Sequence, residues 1–446
     1  MSTKIVYTFM LAIGILTQLV QVCNASLFFI DDKDEIEAGY RQDSLFKKSE
    51  DVQKLIKIQE IGNRLANISR KRQGIDYVFS LIKEENAFSN FAGFIYIGEP
   101  IYELLNSEDE LAFVIAHEMA HSDNRDTADS IEQGIAERYK DKEETKITIS
   151  EEMLRGYFFD RIQEYRADSQ AILYLYLAGY DPKTGIIVME KFQKKYGLYP
   201  PGLEKVSDHP SYVSRKRNME AFLKELQYVE KFYFRDGEGY LEKKNYEEAI
   251  RSFSNYLAFF YTSYNGYFKR GYAYYLQAVG GVARDEFIWD DRIDFTGKFG
   301  VKGTERTDKL LLLKAKNDWE QAKSLNPQKA EVYNYLGIVD AELGEKEKAL
   351  ENLKSAMQKD SKFCATYNNL GVVYLREGKL EEAKKYLTIS FANCSDNLPL
   401  NFNLGQLYKI EGEKEKARKY FEKVIDLDNN KNGYLRKFAE EKIKDL

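Results

Sequence analysis

Hydrophobic and polar residues change their spacing three times along the chain. From Asp51 to Arg72 the apolar residues Leu55, Ile58, Ile61, Leu65 and Ile68 recur at helical intervals, which predicts an amphipathic helix. The run Asp76 to Ile82 then reads as a strand, and Asn86-Ala87-Phe88 and Gly93 to Ile97 as two more short ones. A helical turn near Ile101–Leu105 leads to Ser107 and Glu110, a capping-box pair opening a helix whose stripe is Leu111, Val114 and Ile115. Residues 123–150 are strongly polar and read as a solvated helix or a flap. A further helix is expected over the apolar run Ala171–Leu177.

From about Glu230 the pattern becomes a repeat. Leu336, Leu370 and Leu404 are 34 residues apart, as are Gly337, Gly371 and Gly405, then Gly344, Gly378 and Gly412, and Ala349, Ala383 and Ala417. That register is the spacing of tetratricopeptide repeats, in which small residues let paired helices approach and large ones fill between them. Gly237, Tyr240, Ala249 and Phe253 fit an earlier repeat. Gly271 and Tyr274 begin another, whose second helix resumes at Ala315, Trp319 and Ala322 and closes at Asn326-Pro327. An insertion of about 280–308 separates its halves. Five repeats and a capping helix are therefore expected.

The N-terminal residues read as a targeting segment. Lys4 precedes an apolar run from Ile5 to Val22, interrupted by Thr8, Thr17, Gln18 and Gln21, and Cys23-Asn24-Ala25 offers small side chains before Ser26. Cleaved export is the reading; an N-terminal anchor and a lipid-bearing Cys23 are the alternatives. The expected organisation is a signal peptide at 1–25, a compact domain at 26–228, repeats at 229–431 and a capping helix at 432–446.

Composition changes this picture little. The chain has 446 residues, 43% hydrophobic and 31% charged, enough for two or three full cores. A net charge of -6 argues against a nucleic-acid partner. Of three cysteines, Cys364 and Cys394 lie where antiparallel helices of one repeat bring their ends together, so a disulfide is expected if the chain is exported.

The chemistry is concentrated in His117-Glu118-Met119-Ala120-His121. Histidines four apart on a helix stand on one face and can reach one metal ion, and Glu118 between them can act as a general base. A catalytic zinc site needs a third protein ligand, and Glu164 is the choice. Asp168 lies one turn further on and can accept an N–H from a ligating imidazole. Glu132, Glu137, Glu151 and Glu152 compete for the third place.

These motifs, with Asn86-Ala87-Phe88, Ala178-Gly179-Tyr180-Asp181-Pro182, Asp208-His209-Pro210 and Arg215, occur in an order that resembles the zinc metallopeptidases that include the HtpX and CaaX-prenyl proteases. The exported, repeat-bearing BepA-like branch is the nearer likeness. It covers roughly residues 40–225, and the repeats in kind. It implies a mostly helical α+β fold: a compact HExxH domain with a small sheet, followed by a helical solenoid. It also implies one zinc per chain on His117, His121 and Glu164, with Glu118 as base. Many relatives carry histidine where this chain has Asp126, a departure with no expected effect on the metal.

The function expected is that of an exported zinc endopeptidase of the periplasm or cell envelope. Its substrates by resemblance are misassembled envelope or outer-membrane proteins, and its repeats recruit substrates or envelope assembly machinery. The alternatives are a chaperone or interaction module with a gated peptidase site, and a zinc hydrolase acting on something other than peptides. A substrate would lie as an added strand along Asn86, Ala87 and Phe88. His209 and Arg215 are the available donors to the oxyanion. His209, the one histidine outside the HExxH, could instead be a fourth zinc ligand that plugs the resting site.

Overall fold

The computed structural model describes residues 32–71, 75–90, 92–130, 132, 159–200, 210–279, 308–428 and 434–446. The expected signal peptide and the repeat insertion lie outside the described residues, as do His209, Glu137, Glu151 and Glu152. Two compact units divide the chain, Met1–Glu225 and Leu226–Leu446, three residues before the division expected from the sequence.

The first unit is built around α4 (Glu108–Asp123), preceded by α1 (Asp32–Asp43), α2 (Val52–Ala66), three strands and α3 (Glu99–Leu104). After it come α5 (Arg161–Ala178), α6 (Thr184–Tyr196) and α7 (Tyr212–Tyr228). The strands β1 (Val78–Ile82), β2 (Ala87–Ser89) and β3 (Phe94–Gly98) form a sheet in the order β1-β3-β2. β1 runs parallel to β3, Val78 opposite Phe94, and β2 antiparallel, Phe88 opposite Tyr96. All of β3 is buried, as the middle strand of a covered sheet must be.

Helix α4 was expected to bury one stripe. It is instead buried on every side from Glu110 to Ser122, because α2, α5, α6 and the strands β2 and β3 all pack against it. A helix enclosed this way can hold histidines and a carboxylate out of water, which an amphipathic surface helix cannot. Its N-terminus also differs from the expected capping box. Ser107 Oγ accepts from the Glu110 N–H at 3.2 Å, but the Glu110 carboxylate accepts from the Asn106 N–H at 2.7 Å and pairs with Lys191 at 2.6 Å. A complete capping box instead opens α5. There Asp160 accepts from the Ile162 and Gln163 N–H groups, and Gln163 Oε1 accepts from the Asp160 N–H.

In the second unit successive helices pair as antiparallel neighbours: α8 (Phe234–Glu242) with α9 (Tyr246–Phe259), and α10 (Tyr264–Val279) with α11 (Lys309–Leu325). α12 (Ala330–Glu342) pairs with α13 (Lys346–Lys359), α14 (Cys364–Arg376) with α15 (Leu380–Asn393), and α16 (Leu398–Ile410) with α17 (Lys414–Leu427). α18 (Tyr434–Lys444) packs on α17. The 34-residue register has direct physical causes. Ala349, Ala383 and Ala417 have no exposure at all. A Cβ on Gly371 would stand 2.6 Å from Leu387 of the partner helix, so only glycine allows that approach. Gly378 closes α14 at φ 69°, a left-handed conformation that costs other residues about 1–2 kcal/mol. Cys364 and Cys394, at the start of α14 and the end of α15, form a disulfide with Cα atoms 6.3 Å apart.

Candidate metal centre

Helices α4 and α5 bring His117, His121 and Glu164 together, all buried. One ligand atom from each lies within 4.8 Å of the others. His117 Nε2 and His121 Nε2 are 3.1 Å apart; Glu164 Oε2 is 3.5 Å from the first and Oε1 3.9 Å from the second. Atoms held tetrahedrally at zinc–nitrogen and zinc–oxygen bond lengths stand about 3.3 Å from one another. Two imidazoles and one carboxylate at these separations therefore fit zinc, with a coordination position left over. Formal charge agrees. Asp126 pairs with Arg166, and Glu164 and Asp168 share Arg215, so that with the buried Glu118 the acidic groups outnumber the guanidinium groups by two, which suits a divalent cation.

Asp168, wholly buried, stands with Oδ1 3.1 Å from His117 Nδ1. Burial and the Arg215 guanidinium act to lower the pKa of His117, but the Asp168 and Glu164 carboxylates carry it up to about 9. Glu118 is buried on the same helix, and that burial raises its pKa above the usual carboxylate range, against the pull of His117, His121 and Arg215. A proton acceptor of raised basicity beside a metal position suits general-base chemistry.

Residues 53–222 match the profile of Peptidase family M48, and residues 362–430 match a tetratricopeptide repeat profile. The chain carries an M48 zinc metallopeptidase domain. Its second unit carries tetratricopeptide repeats. No curated protein matches the chain at a significant level. Among solved structures it is similar to a MamA protein at 19% identity and TM-score 0.32, over 47% of this chain and 96% of that one. PilF of Pseudomonas aeruginosa is 18% identical with TM-score 0.36, over 49% and 87%. The repeat protein TTC0263 of Thermus thermophilus is 16% identical with TM-score 0.37, over 47% and 96%.

The other predicted residues of the peptidase domain fall into three groups. Arg215, offered as an oxyanion donor, is buried with all three guanidinium nitrogens on carboxylates. Nε and Nη2 donate to Asp168 at 2.9 and 2.6 Å, and Nη1 meets Glu164 at 2.8 Å. A buried cation must be paired, and here two carboxylates take it. Glu132 is likewise paired with Arg125 at 2.9 Å and is absent from the metal group. Asn86, Ala87 and Phe88 lie at or in β2, an edge of the sheet that packs on α4. Asn86 is exposed. The Phe88 ring is half-buried, 4.6 Å from Tyr96 and 4.7 Å from Phe46, so its side chain serves packing.

Two residues that sequence reasoning passed over stand against His121. Asp126 was expected to leave the metal unaffected, yet its Oδ2 is 2.7 Å from His121 Nδ1. The start of the supposedly solvated stretch is in fact interior: Asp126, Thr127 and Ala128 are all buried. Arg125 turns the chain there at φ 63°, held by Glu35, Asp129 and Glu132. The Phe159 ring stacks on His121 at 3.8 Å. A carboxylate five residues after the second histidine was the signal available for Asp126; nothing in the sequence marked Phe159.

Proposed function

We propose that the chain is an exported endopeptidase that hydrolyses peptide bonds in misassembled envelope or outer-membrane proteins and recruits them, or envelope assembly machinery, through its repeats. The observation that carries the peptidase reading is the convergence of His117 Nε2, His121 Nε2 and the Glu164 carboxylate beside the buried Glu118. Export is supported by the apolar segment that begins after Lys4, and is consistent with the Cys364–Cys394 disulfide. Among the described residues no helix is long and apolar enough to cross a membrane. The BepA-like assignment rests on the motif order, and the envelope substrates follow from it.

In this reading His117, His121 and Glu164 hold one zinc. When bound, the ion polarises the scissile carbonyl and lowers the pKa of water to about 7. Glu118 takes a proton from the attacking water and passes it to the leaving nitrogen. Asp168 fixes the His117 tautomer by accepting its Nδ1–H, and Arg215 holds Asp168 and Glu164 in one geometry. Among the described residues β2 is an edge strand, and main-chain pairing along such a strand suits an extended substrate of any sequence.

Incubating mature protein and its Glu118→Gln variant with an unfolded exported protein tests this. Cleavage by the first and none by the second is expected. Equal cleavage by both, or by neither with zinc bound, would sink the reading.

A further inference from the structure

A histidine that gives Nε2 to a metal must carry its proton on Nδ1, and whatever accepts that proton sets the tautomer and the ring orientation. For His117 the acceptor is Asp168, whose carboxylate is tied down by Arg215. We propose that Asp126 is the corresponding positioning residue for His121, so that each metal-binding imidazole has its own buried aspartate and its own arginine. This rests on the reading of His121 as a zinc ligand.

Four observations support it. Asp126 Oδ2 meets His121 Nδ1 at 2.7 Å, with Asp126 wholly buried and His121 almost so, which makes this a hydrogen bond that water does not weaken. The other carboxylate oxygen accepts from Arg166 Nη2, and the Asp126 carbonyl accepts from Gln163 Nε2 at 3.3 Å. Arg166 and Gln163 both belong to α5, the helix that supplies Glu164, so Asp126 couples the second ligand to the helix of the third. Finally, Phe159 lies flat on the imidazole, with ring planes 18° apart, and blocks rotation of the ring away from the carboxylate.

The backbone is arranged for this contact. Helix α4 ends at Asp123, Asn124 caps it, and Arg125 reverses the chain in the left-handed region, at a cost of about 1–2 kcal/mol for a non-glycine residue. The turn at Arg125 leaves Asp126 against His121, which lies in the last turn of the helix.

The test uses the full chain with zinc and Asp126→Ala, Asp126→Asn and His121→Ala variants. Zinc affinity is read by chelator competition. Nitrogen-labelled histidine is followed by NMR, which is tractable because the chain has three histidines. Asp126→Ala is expected to weaken zinc by about 10–100-fold and to abolish the slowly exchanging His121 Nδ1–H signal, while the His117 signal persists. Asp126→Asn keeps the shape and an acceptor oxygen but loses the charge, and should fall between that variant and wild type. It carries the test if Asp126→Ala does not fold. Wild-type zinc affinity with an intact His121 Nδ1–H signal in the folded Asp126 variants would overturn the inference. His121→Ala keeps the two failures apart. If it loses zinc while the Asp126 variants do not, only the role of Asp126 falls; if it binds zinc normally, the metal site itself is misassigned.

Discussion

Arg215 Nη1 lies 2.8 Å from Glu164 Oε2 while its Nη2 donates to Asp168 at 2.6 Å, so one buried cation joins a carboxylate of the candidate metal group to the carboxylate that stands 3.1 Å from His117 Nδ1. Removing the cation would leave two buried negative charges facing each other. Breaking a buried ion pair from one side costs about 3–5 kcal/mol. Arg215→Met should therefore lower the urea midpoint of the metal-free peptidase domain in the full chain by a corresponding amount. Added zinc should recover part of the loss, because the ion restores positive charge in the same place. A metal-free variant as stable as wild type would contradict this account.

Zinc content separates the ligands from the base. Wild type should hold one zinc per chain, and a chelator should stop hydrolysis until zinc is returned. Glu164→Ala should lose the metal by elemental analysis, since two histidines alone leave the ion underligated. Full occupancy in that variant would move the third ligand elsewhere.

Glu118→Gln removes a proton acceptor and no ligand. It should retain zinc and lose activity by about 10²–10⁴-fold, the usual contribution of a general base. Activity close to wild type would assign proton transfer to another group.

Much of this site was legible in the sequence because helical periodicity places residues four apart on one face. His117 with His121, and Glu164 with Asp168, share a face for that reason, while the choice of Glu164 over its competitors also drew on the family resemblance. The 34-residue repeat was legible for a similar reason: Gly371 and Ala383 are dictated by contacts that recur with each helix pair. What the sequence hid was burial contributed by distant segments. The surroundings of α4 come from α2, α5, α6 and the sheet, so its local pattern could not reveal that every side is covered. Asp126 lies at the start of the polar stretch 123–150 and looked solvated, yet it is wholly buried, and the neighbouring Arg125 is paired with Glu35 from far earlier in the chain. Arg215 was read as an available oxyanion donor, and its two carboxylate partners were hidden because they come from another helix.

The Cys364–Cys394 bond closes a loop with a sequence separation of 30. Loop-closure entropy for that length corresponds to about 3–4 kcal/mol. Replacing both cysteines with serine should destabilise the repeat unit by about 2–4 kcal/mol, and reduction of wild type should have the same effect. Thiol titration of unfolded, unreduced protein should find neither cysteine free. Two reactive thiols would remove the bond.

Gly371 and Leu387 form the last test, of why the repeats need glycine. A Cβ on Gly371 would meet Leu387 Cγ and Cδ2 at 2.6 Å, so Gly371→Ala must push α14 and α15 apart or force Leu387 into another rotamer. Overpacking of this kind costs about 1–3 kcal/mol. Leu387→Ala alone leaves a cavity and costs about 2–5 kcal/mol, since the side chain is wholly buried. In the double variant the new methyl enters the space left by leucine, so the combined loss should be smaller than the sum of the two single losses. Chemical unfolding of the four proteins measures the difference. Additive losses would mean that glycine serves the α14 backbone itself and not the approach of the two helices.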